Sequence, residues 1–359
     1  MPLQTALTRR LGIDNPIILA PMAGGPGTPD LVAAVSNAGG LGFAGLAYLT
    51  PAQIAEFCRS VRERTQRPFG INLFAALPPK PVGDGARVAQ IVAPFFAELG
   101  LAPPTIPAPA ADSFNESLEA ALAGGASILS FTFGILPTDA LQKIKSRMFV
   151  MGTATTVDEA QQLEAAGVDA VIAQGSEAGA HRGTFAHRFE EAMIGTMALV
   201  PQVVDAVKLP VVASGGIMDG RGVAAAFALG ATAVQSGTCF LTCNEAGIPE
   251  AYKQAILHAR EYQTRVTRAF SGRPARGIVN RFMTEVENAA GPDGVLPYPV
   301  QNTLTRPLRA AAAKAGRAEF LSLWAGQAFP LARRQPAADL VRRMMKEAEE
   351  VIKGMSQYA

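Results

Sequence analysis

Cysteine and uncompensated charge are both scarce in this sequence. Only three cysteines occur in 359 residues, too few and too scattered for a disulfide framework, which is typical of a reducing compartment. The 32 lysines and arginines nearly balance the 30 aspartates and glutamates, leaving a formal net charge of +2. A surface for nucleic acid or anionic lipid needs a large excess of positive charge. We therefore expect a cytoplasmic protein with neither kind of partner.

Long apolar runs are also missing. No stretch reaches the roughly 18 apolar residues that a membrane-spanning helix needs. Near the amino end, Asp14, Pro16 and Pro21 interrupt the one segment that resembles the apolar core of a signal peptide. Hydrophobic residues nonetheless make up 49% of the chain, enough apolar surface for a substantial core. We expect a globular chain without a membrane span or a signal peptide.

A short pattern recurs along the first two-thirds of the chain: an alanine-rich helical segment, a glycine, and then an apolar run. Copies begin at Ser36, Leu122, Ala165 and Ala228. A glycine just after a helix adopts the left-handed conformation that other residues resist, and a short apolar run after it is typical of a buried parallel strand. All runs together predict eight strands, at residues 16–20, 41–46, 69–74, 128–133, 148–152, 170–174, 210–213 and 233–236.

Eight is the number of parallel strands, alternating with helices, that closes a barrel. Helix starts fall between the strands: Thr50 precedes Pro51, and Thr156 precedes Glu159 at the spacing of a capping box. The prediction is an α/β fold, a (β/α)8 TIM barrel. A doubly wound open sheet would explain the same alternation and stays open as the alternative.

Two segments depart from the repeat. Residues 77–111 are rich in proline and alanine and predict a long loop that carries one short helix at about 86–99 and could cover a site. From about residue 243 to 330 the sequence is helical in character and rich in arginine. We expect a barrel domain of residues 1–242 plus 331–359, with a smaller, mainly helical substrate-binding domain of residues 243–330. An amphipathic helix at 336–355 would return to the barrel.

In a barrel, phosphate groups are usually bound after the seventh and eighth strands. Gly215 and Gly216 follow the seventh predicted strand, and Gln235, Ser236, Gly237 and Thr238 end and follow the eighth. Glycines let backbone N–H groups approach an anion, and hydroxyls add further donors. Tight turns would explain one such loop, but two on adjacent strands favour a phosphate site.

Two earlier strand ends could contact a flat ring. The loop Ala20, Pro21 and Met22 after the first strand has a backbone that could lie against a heteroaromatic group. Asn72 ends the third strand, where its amide offers both a donor and an acceptor to a ring edge. A loop-capping amide is the alternative for Asn72.

His181 is the one of three histidines that lies on a loop at the predicted carboxyl end of the barrel, after Gln174 and Gly179. An ordinary histidine pKa of about 6.5 suits a general base near neutral pH. His187 and His258 lie in surroundings predicted as helical and would be surface or packing residues.

Two further patterns are weaker. Cys239 and Cys243 have one-turn spacing but no third ligand, so we expect no metal site. Five arginines of the second segment could bind an anionic substrate or a second nucleotide, or could form a solvated helix face. They are Arg265, Arg268, Arg273, Arg276 and Arg281.

The loops together resemble those of the nitronate monooxygenase family, formerly called 2-nitropropane dioxygenases. The segments that carry the resemblance are PIILAPMAGG, FGINLF, AQGSEAGAHRG, VVASGGIMDGRGVAAAFALGA and AVQSGTCFL, and it spans residues 13 to about 243, continuing weakly through RAFSGRPARG. Members are FMN-dependent barrels with a helical substrate domain. The resemblance therefore implies FMN as the cofactor and agrees with the architecture predicted above.

The resemblance also implies roles for single residues. His181 matches the family's catalytic histidine. Tyr298 matches a residue of the motif that marks the nitronate-oxidising class, and is the candidate substrate-binding residue. The implied FMN-binding residues are Ala20, Pro21 and Met22 at the isoalloxazine, Asn72 at the ring edge or ribityl chain, Gln174 and Gly179 beside it, and Gly215, Gly216, Gln235, Ser236, Gly237 and Thr238 at the phosphate.

The sequence departs from the family pattern at three positions. Ala180 stands where the second glycine of Glu-Ala-Gly-Gly-His is usual, and a positive φ at an alanine would carry strain. Asn302 and Arg306 stand where a second tyrosine and a lysine are expected. The physiological substrate and its chain length are therefore less determined than the cofactor.

The expected reaction is the oxidation of alkyl nitronates, and of nitroalkanes if they enter, by O₂ to carbonyl compounds and nitrite. His181 would take the α-proton of a neutral nitroalkane or stabilise the charge of the anion. One alternative is an FMN-dependent NAD(P)H oxidoreductase of the same barrel family, an enoyl-thioester or quinone reductase. The other is a cofactor-free aldolase or isomerase, although Lys143, Lys145 and Lys208 fall on predicted helices or linkers. The assembly stays open, with a homodimer as the candidate.

Overall fold

The computed structural model describes residues 3–75, 81–108, 113–291 and 294–355. Parts of the proline-rich segment predicted as a long loop, residues 77–80 and 109–111, lie outside these ranges. Within them, no helix combines the length and the apolar character needed to cross a membrane.

A closed barrel of parallel strands forms the centre of the protein. Each barrel strand pairs with the next one along the chain, the last pairs with the first, and a parallel bridge between Ile18 and Leu41 joins the first strand to the second. The eight predicted strands are confirmed within two residues at each end, and the open-sheet alternative is wrong. The barrel strands are β1 Ile17–Leu19, β2 Gly42–Gly45, β3 Phe69–Phe74, β4 Ile128–Thr132, β5 Phe149–Ala154, β6 Ala170–Gln174, β8 Val211–Ser214 and β9 Ala233–Ser236.

Helices alternate with these strands and then continue beyond them. In the described residues they are α1 Ala6–Leu11, α2 Pro29–Asn37, α3 Pro51–Arg64, α4 Gly85–Glu98, α5 Phe114–Ala123, α6 Thr138–Lys145, α7 Val157–Ala166, α8 Thr196–Ala206, α9 Gly220–Ala228, α10 Thr238–Leu241, α11 Glu250–His258, α12 Arg281–Ala290, α13 Val300–Ala315 and α14 Ala337–Met355. Helix α14, predicted at 336–355, packs on α9 and α2 of the barrel.

The local signals at helix starts explain where α3 and α7 begin. Thr50 caps α3 through a reciprocal bond with Gln53, and Pro51 occupies the first turn. Thr156 accepts the backbone N–H of Glu159, but the return bond of the predicted capping box is missing. The fully buried Glu159 carboxylate instead accepts the backbone N–H groups of Thr155 and Phe185. It therefore ties the start of α7 to the loop that follows His181.

A second apolar core lies outside the barrel. It gathers phenylalanines of α4, α12 and the segment around residue 270 with side chains of α13. Helix α4, predicted as a short helix at 86–99 within the loop, thus packs with the carboxyl-terminal region. The division into residues 1–242 plus 331–359 and residues 243–330 stays a proposal, and α4 would belong with the second unit.

Besides its helices, the carboxyl-terminal region contains short strands that the sequence analysis did not predict. Strands β10 Thr264–Thr267 and β11 Ala275–Ile278 pair antiparallel, and β11 also pairs with β7 Ala180–His181. The β-branched residues of Thr264–Thr267 favour a strand. The pairing partner of β11 lies almost a hundred residues earlier, where no local periodicity could reveal it.

Candidate functional site

A cavity of about 530 Å³ opens at the carboxyl ends of the barrel strands, a size typical of small-molecule sites. Almost all sequence-predicted site residues line it: Ala20, Pro21, Met22, Asn72, Gln174, Gly179, His181, Gly215, Gly216, Gln235, Ser236, Gly237 and Thr238. Tyr298 is placed beside the cavity by its ring contact with His181, at 5.5 Å between centroids. The fold therefore brings all these residues to one place.

The glycine loops make one wall of this cavity. Gly215 and Gly216 have φ values of +118° and +71°, which favour glycine. A Cβ added to Gly215 would lie 2.8 Å from the Thr196 hydroxyl, and one on Gly237 would lie 3.3 Å from the Ala20 Cβ. These backbones therefore come close both to neighbouring elements and to the cavity.

Two amides of the cavity wall differ in how well they are bonded. The Asn72 Nδ2 donates to the Ser130 hydroxyl at 2.9 Å, so its side chain bridges β3 and β4 as well as facing the cavity. The buried Gln235 Oε1 has no hydrogen-bond partner among the described residues. Since buried polar atoms are nearly always bonded, Gln235 is suited to a ligand donor.

Gln174 holds the histidine loop in place, a role that the sequence did not suggest. Its Nε2 donates to the His181 carbonyl at 3.1 Å, and its Oε1 accepts the Gly183 N–H at 2.8 Å. The neighbouring Arg182 is 1% exposed and donates to the carbonyls of Gly175 and Ala192 at 2.6 and 2.9 Å. Burial lowers the Arg182 pKa to about 10. The loop around His181 is thus fixed by a dense set of buried hydrogen bonds.

Residues 179 and 180 show why this loop prefers glycine. A Cβ on Gly179 would lie 2.6 Å from the backbone of Ala325, so close packing alone requires glycine there. Ala180 has a φ of +61°, which confirms the strain expected from the sequence. Pairing of Ala180 with Arg276 and of His181 with Ala275 holds this conformation.

Ala180→Gly should stabilise the protein. A left-handed conformation costs an alanine about 1–2 kcal/mol in the folded state, and glycine avoids this cost. Glycine also has more conformational freedom in the unfolded chain, which reduces the gain by about 0.4–1 kcal/mol. We expect the free energy of unfolding to rise by about 0.5 kcal/mol, measured by urea denaturation. An unchanged or lower value would show that the alanine is not strained.

The His181 imidazole lies in a buried aromatic setting. Its Nε2 is 2.8 Å from the Ser271 Oγ, and its ring centroid is 5.8 Å from Phe133 and 5.9 Å from Trp324. Although part of the ring faces the cavity, protein surrounds it. Burial, and then the charges of Arg273 and Arg309, lower the His181 pKa to about 3. The histidine is therefore neutral at neutral pH and a weaker base than an ordinary histidine would be.

Comparison with known proteins agrees with the fold. The sequence model for nitronate monooxygenase matches residues 4–347. A probable nitronate monooxygenase of Staphylococcus haemolyticus is 42% identical over 96% of this chain and 97% of its own length. The structure of nitroalkane oxidase from Streptomyces ansochromogenes is 41% identical, covers 98% of this chain and 100% of that one, and superposes with a TM-score of 0.89.

The chain belongs to the nitronate monooxygenase family. It is thus an enzyme, an oxidoreductase. FabK from Thermotoga maritima is more distant, at 30% identity over 99% of both chains and a TM-score of 0.78.

The surroundings of Tyr298 include a second buried tyrosine and two of the positions at which the sequence departs from the expected pattern. The Tyr298 and Tyr48 hydroxyls lie 3.3 Å apart, and burial raises the pKa of both. Asn302 and Arg306, the departures noted in the sequence, both line the cavity. No local sequence pattern marks the other residues around His181 and Tyr298, because only the fold brings them together: Tyr48, Phe133, Ser271, Trp324 and Arg309.

None of the five arginines that the sequence left open lines the cavity, and they differ in their protein partners. Arg265 pairs with Glu287 at 2.7 Å, and Arg281 pairs with Glu98 at 2.9 Å, as expected of a surface. Arg273 instead lies 3.9 Å above the Phe133 ring and donates to the Thr184 carbonyl, and the Arg276 Nε donates to the Ser176 carbonyl at 3.1 Å. Arg268 lies 5.3 Å from the centre of the Phe189 ring.

The remaining histidines and cysteines lie apart from the cavity. His187 pairs with Asp158 at 2.9 Å on an exposed loop rather than in a helix, and His258 ends α11. Cys239 and Cys243 are buried, and burial raises the pKa of both thiols. The described residues contain no cluster of ligands that could hold a metal ion.

Proposed function

We propose that the cavity binds FMN. Three features of the chain fit that molecule: the glycine backbones of Gly215, Gly216 and Gly237 suit a phosphate, Gln235 presents an unbonded buried acceptor, and Asn72 lines the same cavity. The loop of Ala20, Pro21 and Met22 would support the ring. Bound there, FMN supplies the redox chemistry of the reaction.

We propose further that the enzyme oxidises alkyl nitronates with O₂ to carbonyl compounds and nitrite. The observation that carries this proposal is that His181 and the glycine loops line one cavity. Cofactor and substrate would then meet beside an imidazole. The apolar and aromatic side chains of Phe74, Phe133 and Trp324, which also line it, would keep water from the reacting atoms.

Hydrogen bonds around Ser271 determine which nitrogen of His181 carries the proton. The Ser271 hydroxyl donates to the Arg273 carbonyl at 3.1 Å and accepts the Arg273 N–H at 3.3 Å. In that arrangement the His181 Nε2 carries a proton and donates it to Ser271, so Nδ1 is left as the basic nitrogen. Nδ1 would accept the α-proton of a nitroalkane. A nitronate is already deprotonated, so it needs no general base. It needs only a positive charge or hydrogen-bond donors that stabilise its negative charge.

The alternative proposed from the sequence, an FMN-dependent NAD(P)H oxidoreductase of the same barrel family, would use a different reductant. Anaerobic mixing of the flavin-loaded enzyme with each reductant separates the two functions. We expect an alkyl nitronate to change the flavin absorbance within the mixing time and NADH or NADPH to leave it unchanged. Rapid bleaching by NAD(P)H, with no response to the nitronate, would contradict the proposed function.

A further inference from the structure

Helix α13 presents two arginines to the cavity. Arg306 and Arg309 are three residues apart, so they lie on the same face of the helix, and both line the cavity that contains His181. Neither forms an ion pair with a carboxylate of the described residues. None of the described residues that line the cavity is an aspartate or a glutamate. The cavity wall thus carries positive charge that no carboxylate among the described lining residues balances.

Arg309 is the more enclosed of the two. Its Nη2 donates to the backbone and side-chain oxygens of Asn302, both at 2.8 Å, while its buried Nε has no partner in the described part of the chain. Burial, and to a smaller extent Arg306, lowers the Arg309 pKa to about 10. The guanidinium therefore stays charged at neutral pH. A buried positive charge without an anionic partner is costly, which favours a ligand that supplies the anion.

The field of Arg309 reaches the reacting part of the cavity. Its charge is one of the causes that lower the His181 pKa, after burial and Arg273. A field that disfavours a cationic imidazole favours an anion in the same space. A nitronate carries a negative charge, whereas the corresponding nitroalkane is neutral, so the two protonation states of one substrate would be bound unequally.

We propose that Arg309, assisted by Arg306, is a specificity-determining residue that makes this cavity select the anionic nitronate over the neutral nitroalkane. The inference rests on the proposed function for the identity of the anion. One part of the proposal does not depend on the identity of the substrate: Arg309 supplies the positive charge of a binding site for a small planar anion beside His181. Anion binding at this site can be measured without turnover.

Nitrate, a small planar anion that resembles the nitronate head group, is the probe. Its affinity for the flavin-loaded protein is measured by isothermal titration calorimetry at low, constant ionic strength. Arg309→Gln should weaken nitrate binding about tenfold, and Arg309→Lys should recover part of the loss because it keeps the charge. Lys314→Gln is the matched control: it removes one positive charge from α13 at an exposed position outside the cavity lining. It should change nothing.

Kinetics give the second readout. Arg309→Gln should lower kcat/KM for a nitronate about tenfold, mainly through KM. It should leave kcat/KM for the matching nitroalkane unchanged or raised, because the His181 pKa rises. Equal losses with both substrates, unchanged nitrate affinity, or loss of FMN in place of nitrate binding would each overturn the assignment. If Arg309→Gln does not fold, the exposed Arg306→Gln carries the test, with the same signs and about a threefold effect.

The two proposals fail in different ways. A wild-type protein that binds nitrate through Arg309 but does not oxidise nitronates would contradict the proposed function and leave the anion site standing. A protein that oxidises nitronates with undiminished kcat/KM in the Arg309→Gln variant would contradict the anion site alone.

Discussion

His181→Asn should lower turnover of a neutral nitroalkane by about 10²-fold, the lower end of the range for a lost general base, because burial already makes His181 a weak base. Asparagine is of similar size and can still accept a hydrogen bond, but it cannot take up a proton near neutral pH. FMN content should stay close to that of the unmodified enzyme, because the glycine loops and Gln235 lie on other strands. Turnover is followed by nitrite release, and FMN by absorbance after denaturation.

The chain offers a matched control for this substitution. His187 lies six residues further on, is 39% exposed and pairs with Asp158, so His187→Asn should leave turnover unchanged. Unchanged nitroalkane kinetics in His181→Asn would remove the assigned role of His181. Loss of FMN in parallel with activity would make it a cofactor-binding residue instead.

Gly237→Leu should strongly weaken FMN binding while the barrel stays folded. Gly237 lines the cavity between the loops that follow β1 and β9, and its φ is −115°, which any residue adopts. A Cβ there would lie 3.3 Å from the Ala20 Cβ and 3.8 Å from the Met22 sulfur, so the longer leucine side chain must extend into the proposed phosphate and ring site. We expect the Kd for FMN to rise at least about a hundredfold, equivalent to about 2.7 kcal/mol.

Two companion variants separate blocked binding from general damage. Gly237→Ala adds only the Cβ and should weaken FMN binding slightly. Gly354→Leu makes the same change in α14, where a Cβ meets nothing within 4 Å, and should leave FMN binding and circular dichroism unchanged. Undiminished FMN affinity in Gly237→Leu would place the cofactor, if any, elsewhere.

The barrel could be predicted because its signals are local. Each copy of the repeat carries its own helix, glycine and apolar run, so the eight strands were found within two residues. The glycine loops were found for the same reason, since barrel geometry says which strand ends meet. The strain at Ala180 could also be predicted locally, because it depends on the residue type at one position. The observed left-handed φ agrees with that prediction.

The parts that could not be predicted depend on contacts between distant segments. Ser271 reaches His181 across 90 residues, through the pairing of β7 with β11. Glu159 fits the spacing of a capping box, yet tertiary contacts recruit its carboxylate to the backbone of residues 185 and 186. Arg309 has the sequence surroundings of any helical arginine, and only the fold places it at a cavity whose described lining contains no carboxylate. Helical periodicity alone does not reveal such encounters.

The central claim is that glycine turns at the rim of the barrel bind FMN beside His181, and the visible spectrum of the purified protein tests it most directly. We predict a yellow protein with a flavin spectrum, from which denaturation releases FMN in an amount equimolar with the chain. A colourless preparation that also fails to take up added FMN would contradict the account.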